Sequence, residues 1–415
     1  MITQSPLVVP TGVRGTALRR EFTEVVCDDW IKILTFASTE DIIDTSVNGM
    51  LAAAIEEAKA NPELLGSEFF HCYFRALECL RQQDWPSASA AVMTLGNVLL
   101  PLLAAGHIRI PLPVSCDSDG LAVLPSGLAS AGVHMDGQVV DPAGADQLLE
   151  QITQAVESSW YAKIDGWGVR GHTGPIDSEV TKYEARISRI TGEPAGLSVL
   201  DRAGAGPIVA GLTAAAELLR DVAPQVAEEI SAVTEYVVPL GGDHFVGGSD
   251  IYLYGASFLR LDPAWTPLCF ADHLVHEEAH EFMHAEHELR PLLLNRDFVG
   301  APSPIRTDPR PLYGTFHATF VFARLASFMD LFLTQQPENS EAKLRLHRHL
   351  LGLLQGLYIL AEHGIFSERG EREIEAWREL ADKLVQAHGM PRPDLYLQLT
   401  WDYDRAHSDL PVYRP

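Results

Sequence analysis

The feature that most constrains the fold is a histidine-rich stretch, LVHEEAHEFMHAEHELRPLL, from Leu274 to Leu293. Residues three or four apart lie on one face of an α-helix, and five histidines follow this spacing: His273, His276, His280, His284 and His287. Apolar residues stand beside them: Ala271, Leu274, Val275 and Ala279. The pattern predicts a partly buried helix from about Pro267 to Leu293, with the histidines in one stripe.

The remaining chain is dominated by helical periodicity. Short β-like runs broken by Gly and Pro occur between His107 and Asp141, and again just before the histidine helix. We expect a mainly α fold with a small β component (α+β). The run ADQLLEQITQAVESSWYAKI is predicted to be helical, and a Gly-rich region follows it to about Gly206. The run PIVAGLTAAAELLRDVAPQVAEEISAVTEYVVPL is predicted to be one long helix, or two helices broken at Pro224. We expect an N-terminal helical region, 1–106, and a catalytic region, 107–415, or one continuous domain.

Composition narrows the classes of partner. Acidic residues outnumber basic ones by 56 to 31, and the net charge of −25 disfavours nucleic acid and anionic membranes. The apolar segment from Ala91 to Gly106 is too short to span a bilayer, and we expect it to be a buried helix. No secretory signal pattern is present, and the five cysteines include no Cys-x-x-Cys pair. We expect free thiols and a cytoplasmic protein.

A metal site is indicated inside the histidine helix. Two histidines at positions i and i+4 project from one face, so His276 and His280 can converge on one ion. Glu277 between them completes the pattern His-Glu-x-x-His, in which metallopeptidases use the glutamate to polarise a metal-bound water. A second frame, His280 and His284 with Glu281, stays open.

The histidines beyond the motif have a different expected role. Charged residues follow His284 and His287 closely, which favours a solvated face or a supporting role for these two side chains. The spacing typical of metzincin peptidases also fails here, because Met283 stands where that pattern requires glycine.

The third ligand and a carboxylate-binding group must come from elsewhere. His317 lies in the first turn of the next predicted helix, and Asp308 is a carboxylate alternative. The intervening segment APSPIRTDPRPLYG is stiffened by four prolines and carries Arg306 and Arg310. A guanidinium held on a stiff frame suits bidentate binding of a carboxylate, although both arginines could equally form structural ion pairs.

Two segments together resemble a known family. LVHEEAH, followed some thirty residues later by IRTDPRPLYGTFHATFVF, is similar to the HExxH-motif peptide-modification proteins, over about Leu274 to Phe322. Members carry an apolar HExxH helix, a segment like R-x-DPRPL-x-G-x-x-H and an apolar-aromatic helix. The histidine- and glutamate-rich run after the motif departs from the family, where a more apolar run is expected.

The resemblance implies a chemistry. Some members are iron- and 2-oxoglutarate-dependent peptide β-hydroxylases associated with ribosomal peptide biosynthesis. By position, His276, His280 and His317 would bind Fe(II). Arg310, or else Arg306, would bind the distal carboxylate of 2-oxoglutarate. O₂ and a peptide or amino-acid-like substrate would complete the reaction.

Other functions stay open. Glu277 would orient a metal-bound water or a ligand histidine in a hydroxylase. In a zinc metallopeptidase it would be the general base. A non-catalytic peptide-binding protein is the third alternative.

Overall fold

The computed structural model describes residues 12–40, 42–110, 161–171 except 165, 174–243, 245–301 and 311–390, with short strand segments between 112 and 140. Helices account for 70% of the described residues and strands for 9%, which confirms the predicted mainly helical fold with a small β component. The helices are α1 (Gly12–Thr39), α2 (Thr45–Ala58), α3 (Ser67–Arg81), α4 (Trp85–Ala104), α5 (Gly174–Thr191), α6 (Arg202–Val222), α7 (Pro224–Val233), α8 (Pro267–Leu289), α9 (Leu312–Gln335), α10 (Ser340–His363) and α11 (Glu368–His388).

The main sheet is mixed and carries helices on both faces. The strands are β1 (Leu112–Pro113), β2 (Leu121–Val123), β3 (Ala129–His134), β4 (Val139–Val140), β5 (Tyr161–Ile164), β6 (Trp167–Arg170), β7 (Ser198–Val199), β8 (Tyr236–Gly241), β9 (Gly247–Ser249) and β10 (Ala256–Leu259). The order in the sheet is β5-β6-β8-β10-β9, and β7 pairs with β8. β8 runs parallel to β6 and β10, while β9 runs antiparallel to β10.

The two faces of the sheet have different neighbours because side chains alternate along a strand. On one face, Ile176 and Tyr183 of α5 pack with Val238 and Phe258. Leu259 on the other face belongs to the large core that includes residues of α1 to α4 and α6 to α11. This shared core spans both predicted regions, 1–106 and 107–415, and their division stays a prediction.

The helix α8 begins where its sequence predicts. The Thr266 hydroxyl accepts a hydrogen bond from the Cys269 amide at 3.1 Å, and Pro267 occupies the first turn, where its missing N–H costs nothing. The helix ends at Leu289, earlier than the predicted Leu293. Leu293 instead forms a β-bridge with Phe366, so the chain leaves the helix to join the segment before α11.

Two local predictions are wrong. Tyr161–Ile164, placed in a helix, forms β5, and the end of the second helical run, up to Leu240, lies in β8. The β-branched and aromatic residues of both segments pair with neighbouring strands, so tertiary pairing overrides the local pattern. The Gly-rich region between the two runs contains α5. The rest of the run ADQLLEQITQAVESSWYAKI, residues 145–160, lies outside the described residues.

The thiols and the apolar helices behave as expected. Four cysteines are buried and free, namely Cys27, Cys72, Cys79 and Cys269, while Cys116 lies outside the described residues. The segment Ala91–Gly106 belongs mostly to α4, as predicted. Within the described chain, one helix is long and apolar enough to cross a membrane, α9, but 78% of its apolar window is buried in the fold. That burial is typical of a core helix in a soluble protein.

The packing of α9 on α10 gives a test of the fold. A Cβ added at Gly356 would overlap the hydroxyl of Thr319, a fully buried residue whose hydroxyl donates to the Thr315 carbonyl at 2.7 Å. Gly356→Ala should therefore lower the free energy of unfolding by about 1–3 kcal/mol, as overpacked cores do.

Gly49→Ala is the matched control. Gly49 is exposed in α2 and a Cβ there meets nothing within 4 Å, so alanine should be neutral or stabilising by about 0.5–1 kcal/mol. Denaturant titration measures both variants. Equal stabilities would contradict the close contact between α9 and α10.

Candidate metal centre

The two motif histidines on α8 point their ring nitrogens at each other. His276 Nε2 and His280 Nε2 are 3.2 Å apart, with ring centroids 4.9 Å apart. Two imidazole nitrogens bound to one ion at about 2.0–2.1 Å, at an angle of about 90–110°, lie about 2.9–3.4 Å from each other. The pair therefore fits a shared ion. An N–H···N hydrogen bond gives the same separation without an ion.

The protonation state also suits metal binding. Burial, with smaller effects of His280 and His273, lowers the pKa of His276 well below its usual value. A neutral imidazole offers the lone pair that a metal needs. Both rings are half-buried rather than enclosed, so the pair stays open to solvent.

Glu277 faces the sheet. Its carboxylate oxygen Oε2 accepts a hydrogen bond from the Ser249 hydroxyl of β9 at 3.0 Å, and a Cβ at Gly247 would overlap its other oxygen. The side chain is 4% exposed, and burial raises the pKa of Glu277 to about 8, against the lowering effect of the Ser249 hydrogen bond. Without a metal, this carboxyl is mostly protonated at neutral pH.

His317 lies beside the pair but does not complete it. Its ring is 4.5 Å from that of His280, and its Nε2 donates to the main-chain carbonyl of His280 at 3.1 Å. Only Nδ1 of this ring then retains a lone pair. Within the residues that the structure describes, no third His, Cys, Asp or Glu joins the pair in a ligand set of three.

The expected solvated face beyond the motif is wrong. The His284 ring packs on His317 at 4.4 Å, and Tyr313 lies beside both His284 and His287. His287 is 1% exposed, because α9 covers this end of the stripe. In the first frame His280 Nε2 is directed to His276, and the second frame, His280 with His284, stays a prediction.

The carboxylate-binding candidates cannot be placed. Arg306, Asp308 and Arg310 lie outside the described residues. The described chain resumes at Pro311, immediately before α9. Their assignment therefore stays a prediction.

Buried ion pairs fix α8 against its neighbours. Asp272, one turn before His276, accepts from Arg345 Nη1 at 2.8 Å and lies 2.8 Å from His349 Nε2, both on α10. Burial alone would raise the pKa of Asp272, but His349 and Arg345 outweigh it and hold the pKa well below its usual value. The carboxylate is thus ionised and holds α8 to α10.

A second anchor, at Glu278, lies six residues further along the helix. Arg324 of α9 is fully buried, pairs with Glu229 of α7 and reaches Glu278 at 3.5 Å. Its guanidinium also lies over the Phe282 and Phe320 rings. Burial raises the pKa of Glu278 well above its usual value despite Arg324, and Glu229 raises it further. One guanidinium therefore faces two carboxyl groups, and burial favours the protonated form of Glu278.

The sequence pattern missed these supporting groups. Arg345, His349 and Arg324 are distant along the chain from their partners on α8, so no local spacing reveals the pairs. Ser249 is likewise 28 residues from Glu277. The one local signal was Asp272, four residues before His276 and thus on its face of the helix.

Comparisons with known proteins do not assign the chain. No family model and no curated protein matches it. The fold and site define a mainly helical protein with an HExxH helix beneath the edge of a mixed sheet. The resemblance to peptide-modification proteins therefore depends on the motif residues themselves.

Loss of either motif histidine should abolish tight metal binding. We expect His276→Ala and His280→Ala each to weaken binding of Fe(II) or Zn(II) by about 100-fold or more, because one imidazole cannot hold the ion alone. His107→Ala, at an exposed position after α4, is the matched control. Competition with a chromogenic chelator gives the affinities. Wild-type affinity in both motif variants would exclude this site.

The metal-free protein should lose stability in acid. Burial lowers the pKa of His284 to about 3, so only the unfolded chain takes up this proton as the pH falls below about 6.5. The stabilising contribution is complete above pH 6.5 and decreases towards pH 3. His284→Gln should flatten the dependence of unfolding free energy on pH by up to about 1.4 kcal/mol per pH unit. Parallel pH profiles for wild type and variant, measured with a chelator present, would contradict this protonation state.

Proposed function

We propose that this protein is an iron(II)- and 2-oxoglutarate-dependent hydroxylase that acts on a side chain of a peptide or peptide-like substrate. The observation that carries the proposal is the approach of His276 Nε2 and His280 Nε2 to 3.2 Å on a helix of HExxH sequence. The setting we propose is cytoplasmic biosynthesis of ribosomal peptides, which follows from the family resemblance.

The neutral imidazoles at the site favour a metal ion whose positive charge is not cancelled by its protein ligands. His276 and His280 would hold the ion, and the third ligand would be His317, once its ring leaves the His280 carbonyl, or Asp308 in its place. Neutral imidazoles leave the full charge of the ion available to a dianion such as 2-oxoglutarate. When bound, iron would supply O₂ activation coupled to decarboxylation of 2-oxoglutarate to succinate. Arg310, or else Arg306, would bind the distal carboxylate.

Glu277 would orient a metal-bound water. Burial raises its pKa to about 8 in the metal-free protein, but a bound cation would favour the ionised carboxylate, which accepts a hydrogen bond from that water. Ser249 fixes its orientation from the sheet.

A zinc metallopeptidase is the second candidate. The HExxH frame and the position of Glu277 beside a sheet edge favour it, since a general base must lie next to the metal-bound water. Glu277 would then have to release its proton to act as the base at neutral pH.

Turnover separates the candidates. Purified full-length protein with Fe(II), 2-oxoglutarate and a pool of capped random octapeptides in air should release succinate and add one oxygen atom to the modified peptides. Loss of succinate in His276→Ala, with the exposed control variant His107→Ala unaffected, would connect the reaction to the site. Without succinate or oxygen addition, the hydroxylase is excluded.

The two alternative functions give different results. A peptidase would contain stoichiometric zinc, cleave the pool and lose activity in Glu277→Gln with zinc retained. A non-catalytic peptide-binding protein would be isolated metal-free and resist reconstitution with either metal.

A further inference from the structure

The strand β9 lies at the end of the main sheet with β10 as its neighbour in the described part of the chain. The Arg260 amide donates to the Val246 carbonyl at 2.9 Å, which makes these two residues a hydrogen-bonded antiparallel pair. Such pairs alternate with pairs that are not hydrogen-bonded. The main-chain N–H and C=O groups of Gly248 consequently point at β10, while those of Gly247 and Ser249 face away from it.

The same two residues lie over Glu277. Side-chain positions alternate along a strand, and those of Gly247 and Ser249 face α8. Ser249 donates its hydroxyl to Glu277, and only glycine at 247 leaves room for the other carboxyl oxygen. The position of Gly248 faces the opposite side, where the Tyr183 ring would lie 3.0 Å from a Cβ. All three residues of β9 are partly exposed.

We propose that the outer edge of β9 binds an extended segment of the substrate peptide by strand addition. Gly247 and Ser249 would exchange main-chain hydrogen bonds with the peptide. Alternate peptide side chains would then face α8, where Glu277 adjoins His276. This inference rests on the proposed function, because it assigns the peptide that the metal site would modify.

The chemistry of the edge favours a foreign peptide over a second copy of this chain. Main-chain groups of two residues without long side chains select an extended backbone rather than a particular sequence. Two copies would each carry a net charge of −25 and repel each other, whereas a neutral or basic peptide would not. We therefore infer an uncharged or basic extended segment.

A matched pair of variants at Ser249 tests the edge. Ser249→Ala removes only the hydroxyl, whereas Ser249→Pro also removes the outward N–H without disturbing a hydrogen bond to β10. The probe is the tightest-binding peptide that the metal-loaded full-length protein retains from a pool of capped random octapeptides, labelled with fluorescein. Fluorescence polarisation measures its affinity without turnover.

We expect Ser249→Pro to bind this peptide at least tenfold more weakly than Ser249→Ala, with equal metal content. Methylation of every second amide nitrogen of the peptide should weaken its binding to wild-type protein at least tenfold. We expect this loss for one of the two alternating sets of amides, the set that faces β9. This second measurement remains informative if the proline variant misfolds. Equal affinities for both variants, or for the peptide and both methylated forms, would overturn strand addition.

Two further outcomes also overturn the proposal. One is that wild-type protein retains no peptide at millimolar concentration. The other is self-association of wild-type protein, abolished by Ser249→Pro in sedimentation, with no peptide bound. Peptide binding at this edge without succinate formation would reject the hydroxylase but keep the docking site. Hydroxylation together with unaltered peptide affinity in Ser249→Pro would support the hydroxylase but reject the docking site.

Discussion

Five acidic side chains of one helix are buried, and their neutralisation is the constraint on which the site depends: Asp272, Glu277, Glu278, Glu281 and Glu286. An isolated buried carboxylate is too costly for a folded protein, so each must be paired, hydrogen-bonded or protonated. Each of these carboxyl groups on α8 is paired or hydrogen-bonded by a different part of the chain. The helix is therefore held from several sides at once.

The solutions are physically distinct. Asp272 is ionised against Arg345 and His349, whereas Glu281 accepts from the Gly255 amide at 2.8 Å and burial raises its pKa well above its usual value. Glu286 instead faces arginines of three segments: Arg14, Arg290 and Arg369. Removing one partner of a buried pair typically costs about 3–5 kcal/mol, so the position of α8 is strongly determined. His276 and His280 inherit that rigidity, which is what a metal site requires.

The sequence predicts the helix and its motif because both depend on spacing along one element. The 3-4-4-3 histidine stripe, the Pro267 start and the mainly helical fold follow from periodicity alone. The strands Tyr161–Ile164 and Tyr236–Gly241 do not, because their conformation is decided by neighbours in the sheet. The prediction that His287 faces solvent fails for a related reason. Charged neighbours in sequence predicted solvent, but the packing of Tyr313 and Phe316 of α9 decides its environment.

We propose that His276 and His280 hold an iron ion to which 2-oxoglutarate binds. Anaerobic titration of iron-loaded protein with 2-oxoglutarate, followed by visible absorbance, measures this binding. We expect a charge-transfer band that needs both components, saturates at one equivalent and is absent from His276→Ala and His280→Ala. A protein that binds no iron, or iron-loaded protein whose spectrum is unchanged by 2-oxoglutarate, would contradict it.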